Sequence, residues 1–274
     1  MPSPRRFARL LADRRLPLRT RLGLVTAEAR RRVRPGETYR VPCGPGHVFL
    51  SHDDYAVDWE SFKFVVADDA YATDYHGSVV LDIGAHKGYF GAYALAHGAR
   101  AVVSFEPERG NVELLERSAA SYRARGADWR VRPVAVGAEE GVADLHVMSA
   151  SWGHALHPPA AFAEHEVATQ RVPVVAAAAI LAEARALAGA SGRLVVKVNI
   201  EGEECTTVLE TPATAWRDVD ELFVETHPWA SCGAEELAQH LGQAGLTRAE
   251  SPAEVVLRLR RAAPPGSGPR TGPS

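Results

Sequence analysis

A chain of 274 residues, 46% hydrophobic and 24% charged, has ordinary globular usage and enough length to bury one large core. Its net charge of −3 is no polycationic signature for nucleic acid, and no apolar run approaches the roughly 20 residues that span a membrane, so neither is an expected partner. Three scattered cysteines, Cys43, Cys205 and Cys232, lack CxxC spacing; they argue for a reducing, cytoplasmic setting and against a disulfide framework or a zinc site.

Residues 1–35 alternate arginines (Arg5, Arg6, Arg9, Arg14, Arg15, Arg19, Arg21, Arg30, Arg31, Arg32, Arg34) with leucines. Arginines interrupt every apolar run, which excludes a secretory leader. The segment reads as one or two helices packed on the domain, with a basic arm for an anionic partner or a transit peptide as other readings. Residues 38–66 alternate apolar and polar side chains between Pro42, Gly44, Pro45 and Gly46, the pattern of a small β element. The acids Asp53, Asp54, Asp58, Asp68, Asp69 and Asp74 read mostly as solvated turn residues.

Residues 78–108 organise the rest. An apolar run, Val79-Val80-Leu81, closes on Asp82; a turn follows, Gly84-Ala85-His86-Lys87-Gly88; a helix is expected from Tyr89 to His97; a second apolar run from Ala101 to Phe105 ends in Glu106. Strand, turn, helix, strand is a βαβ unit, and ligands of such units bind outside the carboxyl ends of the strands. The glycines let backbone bend and approach a ligand closely. Glu106 stands where a carboxylate grips ribose hydroxyls. A nicotinamide fingerprint would have GxGxxG facing a pyrophosphate. Here an acid precedes the turn and the middle glycine is missing, which suits a cationic ligand without phosphate, such as S-adenosylmethionine. A nicotinamide-dependent oxidoreductase is the disfavoured alternative.

Downstream, helices are expected over 110–125, 176–187, 203–209 and 234–244. Strands are expected over 129–136, 143–148, 170–175, 194–200 and 221–225, with a closing hairpin of 246–249 and 255–259. The tail from Ala262, rich in proline and glycine, reads as disordered. The expected organisation is a basic helical segment over 1–46, an α/β domain over 47–261 and a tail over 262–274. Trp152 and Trp229 are candidate walls for an acceptor or simply core residues. His154 and His227, in loops, are candidate bases, because histidine titrates near neutrality. Lys197 shares strand parity with Asn199, so it faces the cleft or pairs with a strand-end acid. Glu201 and Glu203 flank a glycine before a helix, where capping competes with acceptor binding.

Five ordered motifs, VVLDIGAHKGYF, SFEPERGNVELLERS, RPVAVGAEEG, LVVKVNIEGEE and ELFVETHPW, resemble the FkbM-type methyltransferases over roughly residues 48–250. The resemblance implies a Rossmann-like class I methyltransferase fold, with a mostly parallel central sheet and a C-terminal antiparallel hairpin. It implies S-adenosylmethionine as cofactor and O-methylation of a small molecule, commonly a sugar, polyketide or other natural product. Carried over by position, Asp82, Gly84, Ala85, His86, Gly88, Phe90, Glu106, Pro107, Ala135 and Val136 hold the cofactor. Asn199, Glu201 and His227 face the acceptor as catalytic residues; His154, Lys197, Trp152 and Trp229, read from the residues themselves, are the expected substrate-binding set. Two departures stand out: the family often has Asp at 199 and Asn at 86. Asn199 removes a hard carboxylate ligand, so no divalent metal is expected. It also removes one base, which leaves a cofactor-binding protein without catalysis as an alternative.

Overall fold

Val79–Ile83 (β3), Leu194–Val198 (β9) and the first four residues of Glu221–Glu225 (β10) are buried on both faces, as central strands of a covered parallel sheet are. The computed structural model describes residues 11–34 and 36–262. These three strands, with Ala101–Phe105 (β4), Asp128–Arg132 (β5), Leu246–Arg248 (β11) and Val256–Arg261 (β12), form a seven-stranded sheet in the order β11-β12-β10-β9-β3-β4-β5. β3, β4, β5, β9 and β10 run parallel; β12 lies antiparallel between β10 and β11. The order reverses between β3 and β9, and the crevice there is where such sheets bind ligands. A mostly parallel doubly wound sheet with one antiparallel strand, β12, inserted next to its β11 edge is the Rossmann-like class I methyltransferase fold, as expected.

Strand parity divides the core into two layers. Val80, Val102, Val195 and Phe223 face one side, beneath Tyr89–Ala96 (α3) and Arg109–Arg123 (α4). Val79, Leu81, Ile83, Val196 and Leu222 face the other, beneath Ala177–Ala188 (α5), Glu204–Glu210 (α6) and Ala234–Gly242 (α7). A small second sheet, Ala135–Gly137 (β6), Glu166–Ala176 (β8) and Gly141–Met148 (β7), stands beside the crevice. The single strand expected over 129–136 is therefore two strands in two sheets. Pro133 separates them, since it cannot donate to a ladder.

At the N-terminus, Leu18–Val33 (α1) packs against the hairpin of Tyr39–Cys43 (β1) and Gly46–Leu50 (β2), burying Thr20, Leu24, Ala27 and Glu28. The expected break at residue 46 cuts this hairpin, whose Tyr39, Val41, Val48 and Leu50 share a core with Phe90 and Trp129. Residues 55–66, read from the sequence as β, are helical: Tyr55–Phe62 (α2) runs on into a π-turn over Lys63–Ala67. The buried positions Tyr55, Asp58, Phe62 and Val65 recur every three or four residues, and that period prevails over the local alternation. Asp58, expected in solvent, is completely buried and accepts from Ser51 and Lys87.

Two cysteines are bonded, contrary to the expectation. Cys205 on α6 joins Cys232 in the loop after β10, across 27 residues of sequence. The fold rather than any local spacing brings them together; Cys43 is free and buried. The expected tail lies, beyond Ala262, outside the described residues. No helix among the described residues is long and apolar enough to cross a membrane.

Candidate active site

The loops after β3, β4, β9 and β10 surround a cavity of about 390 Å³ at the crevice. Gly84 (φ +76°) opens the turn after β3. A Cβ there would fall 1.7 Å from the Asn199 carbonyl, so only glycine lets the two loops touch. The Gly84 and Ala85 amides donate to the Phe105 carbonyl. His86, also at positive φ, donates its amide to Glu106 Oε2 at 2.8 Å, while Glu108 donates to Oε1 at 3.0 Å. Glu106 is thus fixed at the end of β4 and lines the cavity with Phe90, Pro107, Ala135 and Val136. Burial, opposed by those two amides, pushes its carboxyl up to about 7.

Asp82 and Gly88, expected to touch a ligand, do not line this cavity. Asp82 lies completely buried beneath the glycine turn, with Lys197 Nζ 3.2 Å from its Oδ1. Lys197 in turn donates to the Gly84 carbonyl at 2.6 Å. Burial raises the Asp82 carboxyl and the lysine draws it back. The pair sets the shape of the turn from below, because an ammonium shared between a carboxylate and a carbonyl fixes both. A Cβ on Gly88 would meet Leu115 and Trp129, so this glycine serves helix packing.

Asn199 donates Nδ2 to Glu225 Oε2 at 2.8 Å, and Tyr71 donates to the same oxygen at 2.7 Å. A carboxylate at 199 would face Glu225 with no proton between them, which accounts for an amide there. Asn199 Oδ1 is buried at the cavity without a partner. His227 stands between two acids, its Nε2 3.4 Å from Glu201 and its Nδ1 3.3 Å from Glu204. Glu204 is held by the Ile200 and Gly202 amides at 2.7 and 2.9 Å. Burial disfavours a charged His227, but the two carboxylates outweigh it and raise its pKa to about 10. Carboxylates facing both ring nitrogens favour the imidazolium, which has no lone pair to give, and so disfavour the base role that the sequence suggested for His227. Glu201, at φ +54°, lines the cavity; burial pushes its carboxyl up and His227 pulls it down.

The remaining expected residues also line the cavity. His154 accepts the Met148 amide at Nδ1 (2.9 Å), and burial lowers its pKa, so it is a neutral donor through Nε2. Trp229 lies over His227, ring centroids 4.8 Å apart, and Phe162 meets it edge-on. Trp152 sits at the rim, 44% exposed.

Sequence reasoning missed Lys87, Tyr71, Glu204 and Glu225. Lys87 Nζ reaches Asp58 at 2.5 Å, Asp54 at 3.3 Å and Ser151 at 2.9 Å, and His86 Nε2 meets the same serine at 2.8 Å. Among the described residues, Asp54, Asp58 and His86 are the one group spaced to hold a metal ion. The lysine ammonium already neutralises its two acids. The signal for Lys87 was its place inside the glycine turn; Glu225 was marked only as a strand end.

No family model matches the chain, and no curated protein matches it. Among solved structures it is similar to the methyltransferase FkbM from Methylobacillus flagellatus, at 14% identity and TM-score 0.44, covering 72% of this chain and 47% of that one. The chain thus spans about half the length of that protein. It is also similar to magnesium protoporphyrin IX methyltransferase from Synechocystis, with S-adenosylhomocysteine bound (13%, TM-score 0.40, 77% and 85% covered). A third neighbour is a SAM-dependent methyltransferase from Agrobacterium tumefaciens (11%, TM-score 0.41, 82% and 70% covered). Structural neighbours of this chain are therefore S-adenosylmethionine-dependent methyltransferases.

Proposed function

We propose that the protein is an S-adenosylmethionine-dependent methyltransferase that methylates a hydroxyl of a small molecule. The observation that carries this reading is the charge of the crevice. Its described lining holds Glu60, Glu106, Glu201, Glu203 and Glu225, one lysine and no arginine, and Lys197 is tied to Asp82. A dinucleotide's diphosphate has no uncommitted cation to meet there, because His227 is itself held between Glu201 and Glu204. A sulfonium nucleoside fits: Glu106 for ribose hydroxyls, Asn199 Oδ1 as an orphaned acceptor for an ammonium, and Gly84 leaving room for close approach. When bound, this group supplies a methyl carbon activated for displacement by its sulfonium.

The chain's own part is orientation and proton handling. Aligning acceptor and methyl group supplies most of the rate, because a held pair avoids the entropy of encounter. Trp229 and Trp152 offer flat walls for the acceptor. Glu201, the cavity carboxylate whose charge burial disfavours, receives the hydroxyl proton. His227 stays protonated beside it and steadies the carboxylate charge before transfer. Glu201→Gln should lower turnover by about 10²–10⁴-fold with unchanged affinity for S-adenosylhomocysteine. In the His227→Asn variant the acid limb of the rate should move to higher pH, since the lost cation no longer holds the Glu201 carboxyl down. Wild-type turnover by Glu201→Gln on an alcohol acceptor would remove Glu201 from this role. Cofactor binding with no turnover on any acceptor would favour a binding protein instead.

A further inference from the structure

The first 34 residues carry eleven arginines against two acids, Asp13 and Glu28, in a chain whose net charge is −3. Everything beyond them is therefore strongly acidic, and such asymmetry marks a segment with an anionic partner. The structure adds a second observation. Of eight large apolar side chains exposed among the described residues, four lie in this short segment: Leu11, Leu18, Leu22 and Val33.

Helix geometry orders them. At about 100° per residue, Leu18, Leu22, Ala29 and Val33 fall within about 60° of one another. Thr20, Leu24, Ala27 and Glu28, the residues α1 buries against the domain, lie on the opposite side. Leu18 is 59% exposed, Leu22 50% and Val33 74%. Arg19 and Arg30 flank the stripe on one side, Arg21 and Arg32 on the other. The helix thus has a buried mixed face against the domain and an apolar stripe facing outward between rows of arginine.

We infer that this outer stripe docks the protein on an anionic membrane surface, with α1 lying in the plane of the interface. Leucine and valine enter the headgroup boundary, while Arg14 and Arg30 reach lipid phosphates; Arg19, Arg21 and Arg32 are held by the Gly44 carbonyl, the Leu11 carbonyl and Glu28. The charge decides against a second copy of the chain, since two such helices repel. The leucines decide against nucleic acid, whose backbone offers them nothing apolar. The inference does not depend on the methyltransferase reading, because α1 lines no part of the crevice.

The test is flotation of the full chain with vesicles of phosphatidylcholine alone and of phosphatidylcholine mixed with phosphatidylserine. Binding should be at least about tenfold stronger to the anionic vesicles and should weaken with salt, each juxtamembrane arginine contributing several-fold. Leu18→Gln with Leu22→Gln, at exposed positions, should weaken it by a further tenfold or more while leaving the melting temperature unchanged. Arg14→Gln with Arg30→Gln should remove most of the preference for anionic lipid. Failure to bind phosphatidylserine vesicles at low salt would overturn the inference. So would binding indifferent to the leucine pair, which would make the contact purely electrostatic and open to nucleic acid. Light scattering that shows a dimer lost in the leucine variant would assign the stripe to contacts between copies.

Discussion

His227 shows how a residue's surroundings decide its chemistry. In sequence it is a histidine after a buried strand, the ordinary place for a base. In the fold its two ring nitrogens face Glu201 and Glu204, and the pair of acids raises it to about 10. The consequence for stability has a definite sign. A group raised from an ordinary 6.5 stabilises the fold fully below pH 6.5, and that contribution is lost as pH rises through about 10. Melting temperature should therefore fall between pH 6.5 and 10, and His227→Asn should flatten that stretch; a wild-type curve level across the window would contradict the charged assignment. Glu204 is invisible as a partner from sequence, because it sits on α6 while His227 follows β10. Lys87 makes a related point. Its ammonium lies between Asp54 and Asp58, which would otherwise be the hard-oxygen group that invites a divalent ion. Activity should survive dialysis against EDTA; complete loss restored by magnesium alone would show that a metal displaces the lysine.

Among elements, the central strands were legible and the peripheral ones were not. Runs such as Val79-Val80-Leu81 and Leu222-Phe223-Val224 are apolar on both faces, and only an interior strand of a covered sheet needs that. Residues 55–66 misled because Phe62, Phe64 and Val66 mimic a period of two, while the contact of Phe62 with Tyr89 is distant in sequence. The bond between Cys205 and Cys232 was illegible for the same reason. It fastens the loop that carries His227 and Trp229 to the helix that carries Glu204, so it supports the acceptor side of the crevice. Closing a loop of this length is worth typically about 2–4 kcal/mol through the unfolded chain. Cys205→Ser with Cys232→Ser should cost about that much in denaturant unfolding and should weaken acceptor binding more than cofactor binding. Equal stability with and without reductant would mean the bond contributes nothing to the fold.

At the scale of the whole molecule, the sheet order places the glycine turn, Glu106, Asn199 and His227 around one crevice, though they come from four separate stretches of chain. The resemblance in the motifs marked most of these positions. It did not show which side chains face the cavity: Lys197 lines it, whereas Asp82 lies buried beneath, ion-paired to that lysine. The proposed function requires that cavity to accept an adenosyl amino acid without phosphate and to reject a dinucleotide. The most direct measurement is calorimetric titration of S-adenosylhomocysteine, alongside NAD, into the wild type and Glu106→Ala. The account predicts binding of S-adenosylhomocysteine only, weakened by about 1.5–3 kcal/mol in the variant. It also predicts weakening in the wild type as pH falls below about 7, where the Glu106 carboxylate takes up its proton. Tight binding of NAD with none of S-adenosylhomocysteine would contradict it.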